Sequence, residues 1–250
     1  MTVRVGIIGA GAIARYHLQQ YLATPQAQAD IDRYAAECTD SSSVALLVDM
    51  SYSMSNFGRF YHAKRIALAM DALIRQRFPE DSLDLIGFYT RAEPIRIDRL
   101  PLLMPRPVSL TDKKLSLRLP LDDADRAPQH LTNLQMAFDL AVRTLAERHG
   151  RKKHAFIVLD GEPTAFVDGA DLVLRYPADE QTAAATLQSA QALARQDVQL
   201  TTFALIDDYY YMDWVAFVDR MTRATRGVSF YCGSDQLPRC VLESYIAGKR

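Results

Sequence analysis

The chain has 250 residues, 49% of them apolar and 24% charged, with a formal net charge of −1. That balance supports one sizeable folded domain plus an extension and excludes disorder on a large scale. Near-neutral charge gives no general drive toward nucleic acid or an anionic membrane, and no run of about 18 apolar residues is present to span a bilayer. The short basic run Arg151-Lys152-Lys153 reads as a solvated loop.

In chain order, Val3 to Ile8 reads as a strand, followed by a glycine turn and a helix from about Ala12 to Leu22. Gly9-Ala10-Gly11-Ala12-Ile13-Ala14 fits a G-x-G-x-x-(G/A) fingerprint, in which Gly9 and Gly11 would let the backbone approach a pyrophosphate. A working nucleotide site needs a second strand carrying an acidic residue about 20 positions on, whereas Asp30 and Asp32 sit in polar sequence with no strand before them. The same N-terminus is too short and too glycine-rich in its apolar run to read as a signal peptide. Pro25 to Ser43 is polar and alanine-rich, suiting a helix and then a linker, with a boundary near residue 42. The chain is expected to comprise an extension of uncertain role over 1–42 and a main domain over 43–250.

Val44 to Val48 is a buried strand that runs directly into Asp49-Met50-Ser51-Tyr52-Ser53. Phe60 to Phe78 carries Ala63, Ile66, Ala67, Met70, Leu73 and Ile74 at helical spacing, making it a crossover helix. Leu83 to Tyr89 reads as a strand, and Ile95-Arg96-Ile97 begins an antiparallel edge strand. From Leu100 to Gln129, with Pro101, Pro105, Pro107, Pro120 and Pro128, the signals are weak and a mobile, loop-rich insertion is expected. Leu134 to Arg148 is an amphipathic helix and His154 to Leu159 a strand that ends at Asp160. Glu180 to Arg195 is a helix, Leu200 to Ile206 a strand, Trp214 to Ala224 a helix, Val228 to Cys232 a strand and Leu237 to Ala247 the closing helix. Strand and helix alternate, so the expected fold is α/β: a doubly wound, mostly parallel six-stranded sheet flanked by helices, with a short strand-helix extension before it.

Three segments carry the chemistry. Asp49, Ser51 and Ser53 place a carboxylate and two hydroxyls at one strand end, Thr132 stands just before a helix, and Asp160 closes another strand. In an open α/β sheet such ends share one edge, where ligands bind. Hard oxygen donors suit Mg²⁺ or Mn²⁺. The plainer alternative is that Ser53, Ser55 or Asn56 caps the following helix. Asp207-Asp208-Tyr209-Tyr210-Tyr211 follows a strand and should lie on the same edge. With Tyr52, Phe57, Phe60 and Tyr61 it is the candidate rim for a partner, with Glu162 as a further candidate there. The cysteines, Cys38, Cys232 and Cys240, leave an odd thiol and form no C-x-x-C pair, favouring a reducing compartment. The histidines lack metal-ligand spacing, and most read as surface or helix residues.

From about Val44 onward the chain resembles a von Willebrand factor A (vWA) domain, whose metal-ion-dependent adhesion site uses D-x-S-x-S, a Thr and an Asp in this order. The resemblance implies Asp49, Ser51, Ser53, Thr132 and Asp160 as the metal site. It implies direct binding by Ser51 and Ser53, and binding by Thr132 directly or through water. Asp49 and Asp160 would act mainly through waters and hydrogen bonds. A carboxylate from a protein partner would complete the ion. The stretches Val48–Met54, Leu131–Phe138, Leu159–Phe166 and Gly227–Arg250 are similar to bacterial intracellular vWA proteins that accompany MoxR-type or magnesium-chelatase-like AAA+ ATPases. That similarity implies a cytoplasmic adaptor or substrate-recruiting partner of such an ATPase. Val3 to His17 also resembles the start of glucose-fructose oxidoreductase type NAD(P) enzymes, leaving an NAD(P)-binding oxidoreductase fragment as an alternative function. A hydrolase using the same divalent ion is another. With no G-x-S-x-G elbow, P-loop or plausible acid/base pair, a non-enzymatic role is expected.

Overall fold

The computed structural model describes residues 41–109, 114–206 and 212–248. The expected strand Val3–Ile8, the Gly9/Gly11 turn, the helix Ala12–Leu22 and the loop Asp207–Tyr211 lie outside these residues.

Apolar alternation on buried strands sets the architecture. Strand β1 (Ser42–Asp49) is buried along its whole length. Val44, Leu46 and Val48 point to one face, while Ala45 and Leu47 point to the other, as the two-residue period of a strand requires. β1 lies parallel between β2 (Ser82–Phe88) and β5 (Lys152–Leu159). β8 (Val198–Leu205) and β9 (Val228–Cys232) follow in parallel, and β3 (Ala92–Ile95) closes the far edge antiparallel to β2. The result is a six-stranded sheet in the order β3-β2-β1-β5-β8-β9. β3 ends where the sequence suggested that an edge strand begins.

Helices cover both faces. On one face α1 (Arg59–Arg77) buries Phe60, Ala63, Ile66, Ala67, Met70 and Ile74, beside α5 (Leu237–Gly248) with Leu237, Val241 and Tyr245. On the other lie α2 (Leu134–Ala146), α3 (Glu180–Ala194) and α4 (Met212–Thr225), whose Phe138, Leu193 and Trp214 join the second core. The spacing of these buried residues follows the helical period read from the sequence.

Three details differ from the sequence reading. Ser42 and Ser43, taken as linker, open β1. They pair with Lys152 and Lys153 of β5, and the Ser42 N–H donates to Asp81 Oδ1 at 2.8 Å. The 100–129 insertion is not loop alone, since it supplies β4 (Leu115–Pro120). β4 pairs antiparallel with β7 (Asp171–Tyr176), which forms a hairpin with β6 (Ala165–Asp168). This second, three-stranded sheet covers a small core of Leu131, Ala165, Leu172 and Leu174, with Leu115, Leu117 and Leu119 packed against it. Finally, His154 is buried in β5 edge-on to Phe156, with ring centroids 6.2 Å apart, so it is a core residue rather than a surface one.

Candidate functional site

The strand order reverses between β1 and β5: β1 leads outward through β2, and β5 leads outward the other way through β8. Loops leaving the carboxyl ends of two strands at such a point diverge and leave a crevice. Asp49 is the last residue of β1 and Asp160 directly follows β5, so two distant carboxylates meet there.

A chain of hydrogen bonds joins them. The Ser51 N–H donates to Asp49 Oδ1 at 2.7 Å. The Ser51 and Ser53 hydroxyls lie 3.0 Å apart, and Ser53 Oγ donates to Asp160 Oδ1 at 2.7 Å. The other oxygen of Asp49, Oδ2, is buried without a hydrogen-bond partner. Burial, and then the charge of Asp160, push the Asp49 carboxyl well above its ordinary range, against the hydrogen bonds from Ser51. Burial also raises Asp160, opposed by Ser53 and by the Arg59 guanidinium. Two carboxylates removed from water beside each other make a local demand for positive charge.

Backbone bonds hold the Thr132 segment against this loop. The Tyr52 N–H reaches the His130 carbonyl at 3.2 Å, and the Thr132 N–H donates to Thr164 Oγ1 at 2.9 Å. The Thr132 carbonyl accepts from the N–H groups of Thr164 and Ala165 at 2.9 and 3.0 Å. On the other side, the Asn133 N–H donates to the Tyr89 carbonyl and Asn133 Nδ2 to the Thr90 carbonyl, at 2.7 and 3.1 Å. Thr90 Oγ1 donates to the Pro128 carbonyl at 2.5 Å and accepts the Leu131 N–H at 3.2 Å. Thr132 is thereby clamped between the end of β2 and the loop after β5.

The helix-capping alternative does not describe these hydroxyls. Helix α1 is preceded by Gly58, without a side-chain cap, and α2 is capped by Asn133, whose Oδ1 accepts the Met136 N–H at 3.0 Å. Neither Ser53 nor Thr132 acts as a cap.

One residue escaped the sequence reading. Arg59, the first residue of α1, is 5% exposed and places Nη1 2.8 Å from Asp160 Oδ2. Asp160 is therefore held by a hydroxyl, in keeping with the hydrogen bonding expected of it, and by a guanidinium, which was not anticipated. No local pattern announces this, because the partner lies across the sheet. A helix-initial Arg ordinarily reads as solvent-facing, the more so since cations are disfavoured at helix N-termini.

Of the aromatic rim, Tyr52, Phe57 and Tyr61 are exposed, at 46%, 60% and 59%. Phe60 is 4% exposed and belongs to the core, a correction to its reading as a rim residue. Glu162 is half-buried beyond Asp160. Gly9 and Gly11 fall outside the described residues. Among the described residues no group of three or more His, Cys, Asp or Glu side chains could hold a metal ion, so a cation at this edge would depend on hydroxyl oxygens. Among them, too, no helix is long and apolar enough to cross a membrane.

A family model described as "Rv0959-like protein, vWA domain" matches residues 42–246. The uncharacterized protein Rv0959 of Mycobacterium tuberculosis is 29% identical over 226 residues, covering 88% of this chain. The chain spans 30% of the length of that relative. Among solved structures, the vWF domain of the type V pili tip protein Mfa5 from Porphyromonas gingivalis superposes with a TM-score of 0.60 at 10% identity, covering 85% of this chain and 97% of that one. Proximal thread matrix protein 1 of the mussel byssus, solved with a zinc-occupied MIDAS motif, matches with a TM-score of 0.53 at 11% identity over 82% of this chain and 45% of its own. At such identities the likeness to solved structures shows the fold alone.

Proposed function

Because the chain belongs to the Rv0959-like vWA-domain family, we propose that its sheet edge is a divalent-metal-dependent protein-binding site built from Asp49, Ser51, Ser53, Thr132 and Asp160. The observation that carries this reading is Asp49 Oδ2, an acceptor buried without a partner and facing the charge of a second buried carboxylate. An orphaned carboxylate oxygen is costly in a protein interior and is ordinarily explained by an ion or water. The neighbouring donors are the hydroxyls of Ser51 and Ser53 and a carboxylate oxygen of Asp160. That all-oxygen set fits a hard cation such as Mg²⁺ or Mn²⁺ and does not fit a soft thiophilic one.

When bound, the ion would supply a concentrated positive charge able to take a carboxylate from a partner protein. The chain's own residues do the rest. The Asp49 and Thr132 loops are fixed by backbone hydrogen bonds, so the donors are held in place before any ion arrives. Exposed Tyr52, Phe57 and Tyr61 offer apolar area with two hydroxyls around the charge, a composition favoured at interfaces. The aromatic rim beside the charge thus favours recognition of an acidic partner over metal-assisted hydrolysis.

On the similarity of the Val48–Met54 and Leu131–Phe138 stretches to intracellular vWA proteins, we further propose a cytoplasmic adaptor role beside a MoxR-type AAA+ ATPase. A Mg²⁺-dependent complex between the two purified proteins would be its direct sign.

The test of the site is isothermal titration of metal-stripped protein with Mg²⁺ and Mn²⁺, beside an Asp49→Ala, Ser51→Ala double variant. Saturable binding by the wild type and none by the folded variant is the expected result. A wild type that binds neither ion refutes the metal-dependent reading.

A further inference from the structure

Arg59 occupies an unfavourable place for a cation. It starts α1, where the helix dipole is positive, and it is buried. The turn that delivers it is also strained: Phe57 and Gly58 both adopt left-handed backbone, with φ of 52° and 68°. For a bulky aromatic this conformation costs on the order of 1 kcal/mol. The guanidinium carbon lies 4.9 Å from the centroid of the exposed Phe57 ring, so the cation is held between an aromatic face and the Asp160 carboxylate.

One carboxylate would therefore have to serve two cations once the proposed ion is bound. Asp160 Oδ2 is engaged by Arg59, while Asp160 Oδ1 is bonded to Ser53, one of the proposed metal-binding hydroxyls. A divalent ion seated beside Ser51 and Ser53 would meet the positive charge of Arg59 at close range in a poorly solvated site. Repulsion between unscreened like charges there is large compared with thermal energy.

We propose, resting on the metal-dependent reading above, that Arg59 is a resident counter-cation that competes with the divalent ion for Asp160. Arg59 then sets the metal affinity of the site, and metal binding loosens the Phe57–Arg59 turn. Without the ion, Arg59 compensates Asp160. With it, the guanidinium is repelled and the Phe57 ring loses the cation stacked against it. Metal occupancy would thereby be transmitted to an exposed aromatic of the partner-facing rim, coupling ion binding to the shape of the interface.

The experiment compares Mn²⁺ binding, followed by electron paramagnetic resonance of the free ion, in the wild type, Arg59→Gln and Arg59→Lys. Far-ultraviolet circular dichroism establishes that each variant is folded. Arg59→Gln is expected to bind Mn²⁺ at least about tenfold more tightly than the wild type, and Arg59→Lys, which keeps the charge, to stay within about threefold of it. As a second readout, Phe57→Trp places a reporter in the turn. Its fluorescence should change on Mg²⁺ addition in the Arg59 background, and much less when Arg59→Gln is added.

Tighter binding by Arg59→Gln than by a wild type that also binds, with Arg59→Lys close to the wild type, supports the proposal. Equal or weaker binding by Arg59→Gln, with a wild type that does bind, overturns the counter-cation role and leaves the metal site standing. Silence of all three proteins overturns the metal reading itself and this inference with it.

Discussion

Thr90→Val tests whether the clamp on Thr132 is what holds the site together. The side chain is fully buried, and valine nearly matches its shape while removing the hydroxyl. Two backbone groups then lose their partner: the Pro128 carbonyl, which accepts from Thr90 Oγ1, and the Leu131 N–H, which donates to it. Each buried group left unsatisfied costs about 1–3 kcal/mol, so the variant should lose roughly 2–6 kcal/mol of stability. For a domain of this size each kcal/mol corresponds to about 2–4 °C, giving a fall in Tm on the order of 10 °C. Thr90→Ser keeps the hydroxyl and removes one methyl, and should cost about 1 kcal/mol. Urea denaturation of all three proteins in metal-free buffer measures the differences. The two bonds anchor the loop at Pro128 and at Leu131, directly before Thr132, so Mg²⁺ affinity should fall in the valine variant and hold in the serine one. A valine variant within 0.5 kcal/mol of wild type would show that the loop finds other partners and that the clamp argument is wrong.

Three further outcomes follow from particular contacts. Asp49→Asn removes a desolvated charge from beside Asp160 while an acceptor for the Ser51 N–H survives. It should raise metal-free stability by about 1 kcal/mol and abolish stabilisation by Mg²⁺. A urea midpoint below wild type would mean that the Asp49 charge is already compensated. Gly150→Ala would bring a Cβ within 2.6 Å of the Ser43 backbone N and 2.8 Å of the Ser42 carbonyl carbon. Neither backbone atom can yield cheaply where β1 begins, so a loss of about 1–3 kcal/mol is expected in thermal melts. Burial, then the hydrogen bond to Asp219, raise the Tyr231 phenol from its ordinary value of 10.0 to about 12. The unfolded chain therefore releases this proton first: the stability it contributes is intact below about pH 10 and is lost as pH climbs toward 12. Tyr231→Phe should flatten that segment of the alkaline stability profile, and an unchanged slope would contradict the assignment.

The sequence by itself settled the fold class, because buried parallel strands and their crossover helices write their periods locally. Val44 to Val48 and Phe156 to Leu159 are apolar throughout, and α1 and α2 repeat at helical spacing. It also indicated that Asp49, Ser51, Ser53, Thr132 and Asp160 belong to one edge, since the ends of parallel strands share a side of the sheet whatever their separation along the chain. The second sheet was harder to see. Leu115 to Pro120 alternates cleanly, but Pro120 and a partner strand more than fifty residues away hid a pairing that only long-range register decides. Tertiary structure alone decided which charges meet. That Arg59 turns inward to Asp160 depends on a left-handed turn at Phe57-Gly58 and on a carboxylate delivered by another strand. Likewise, Asp49 Oδ2 is left without a partner only because the surrounding chain closes over it. Local periodicity encodes which face of an element is buried. The pairing of charges across elements is set by packing, and no stretch of sequence around either residue contains it.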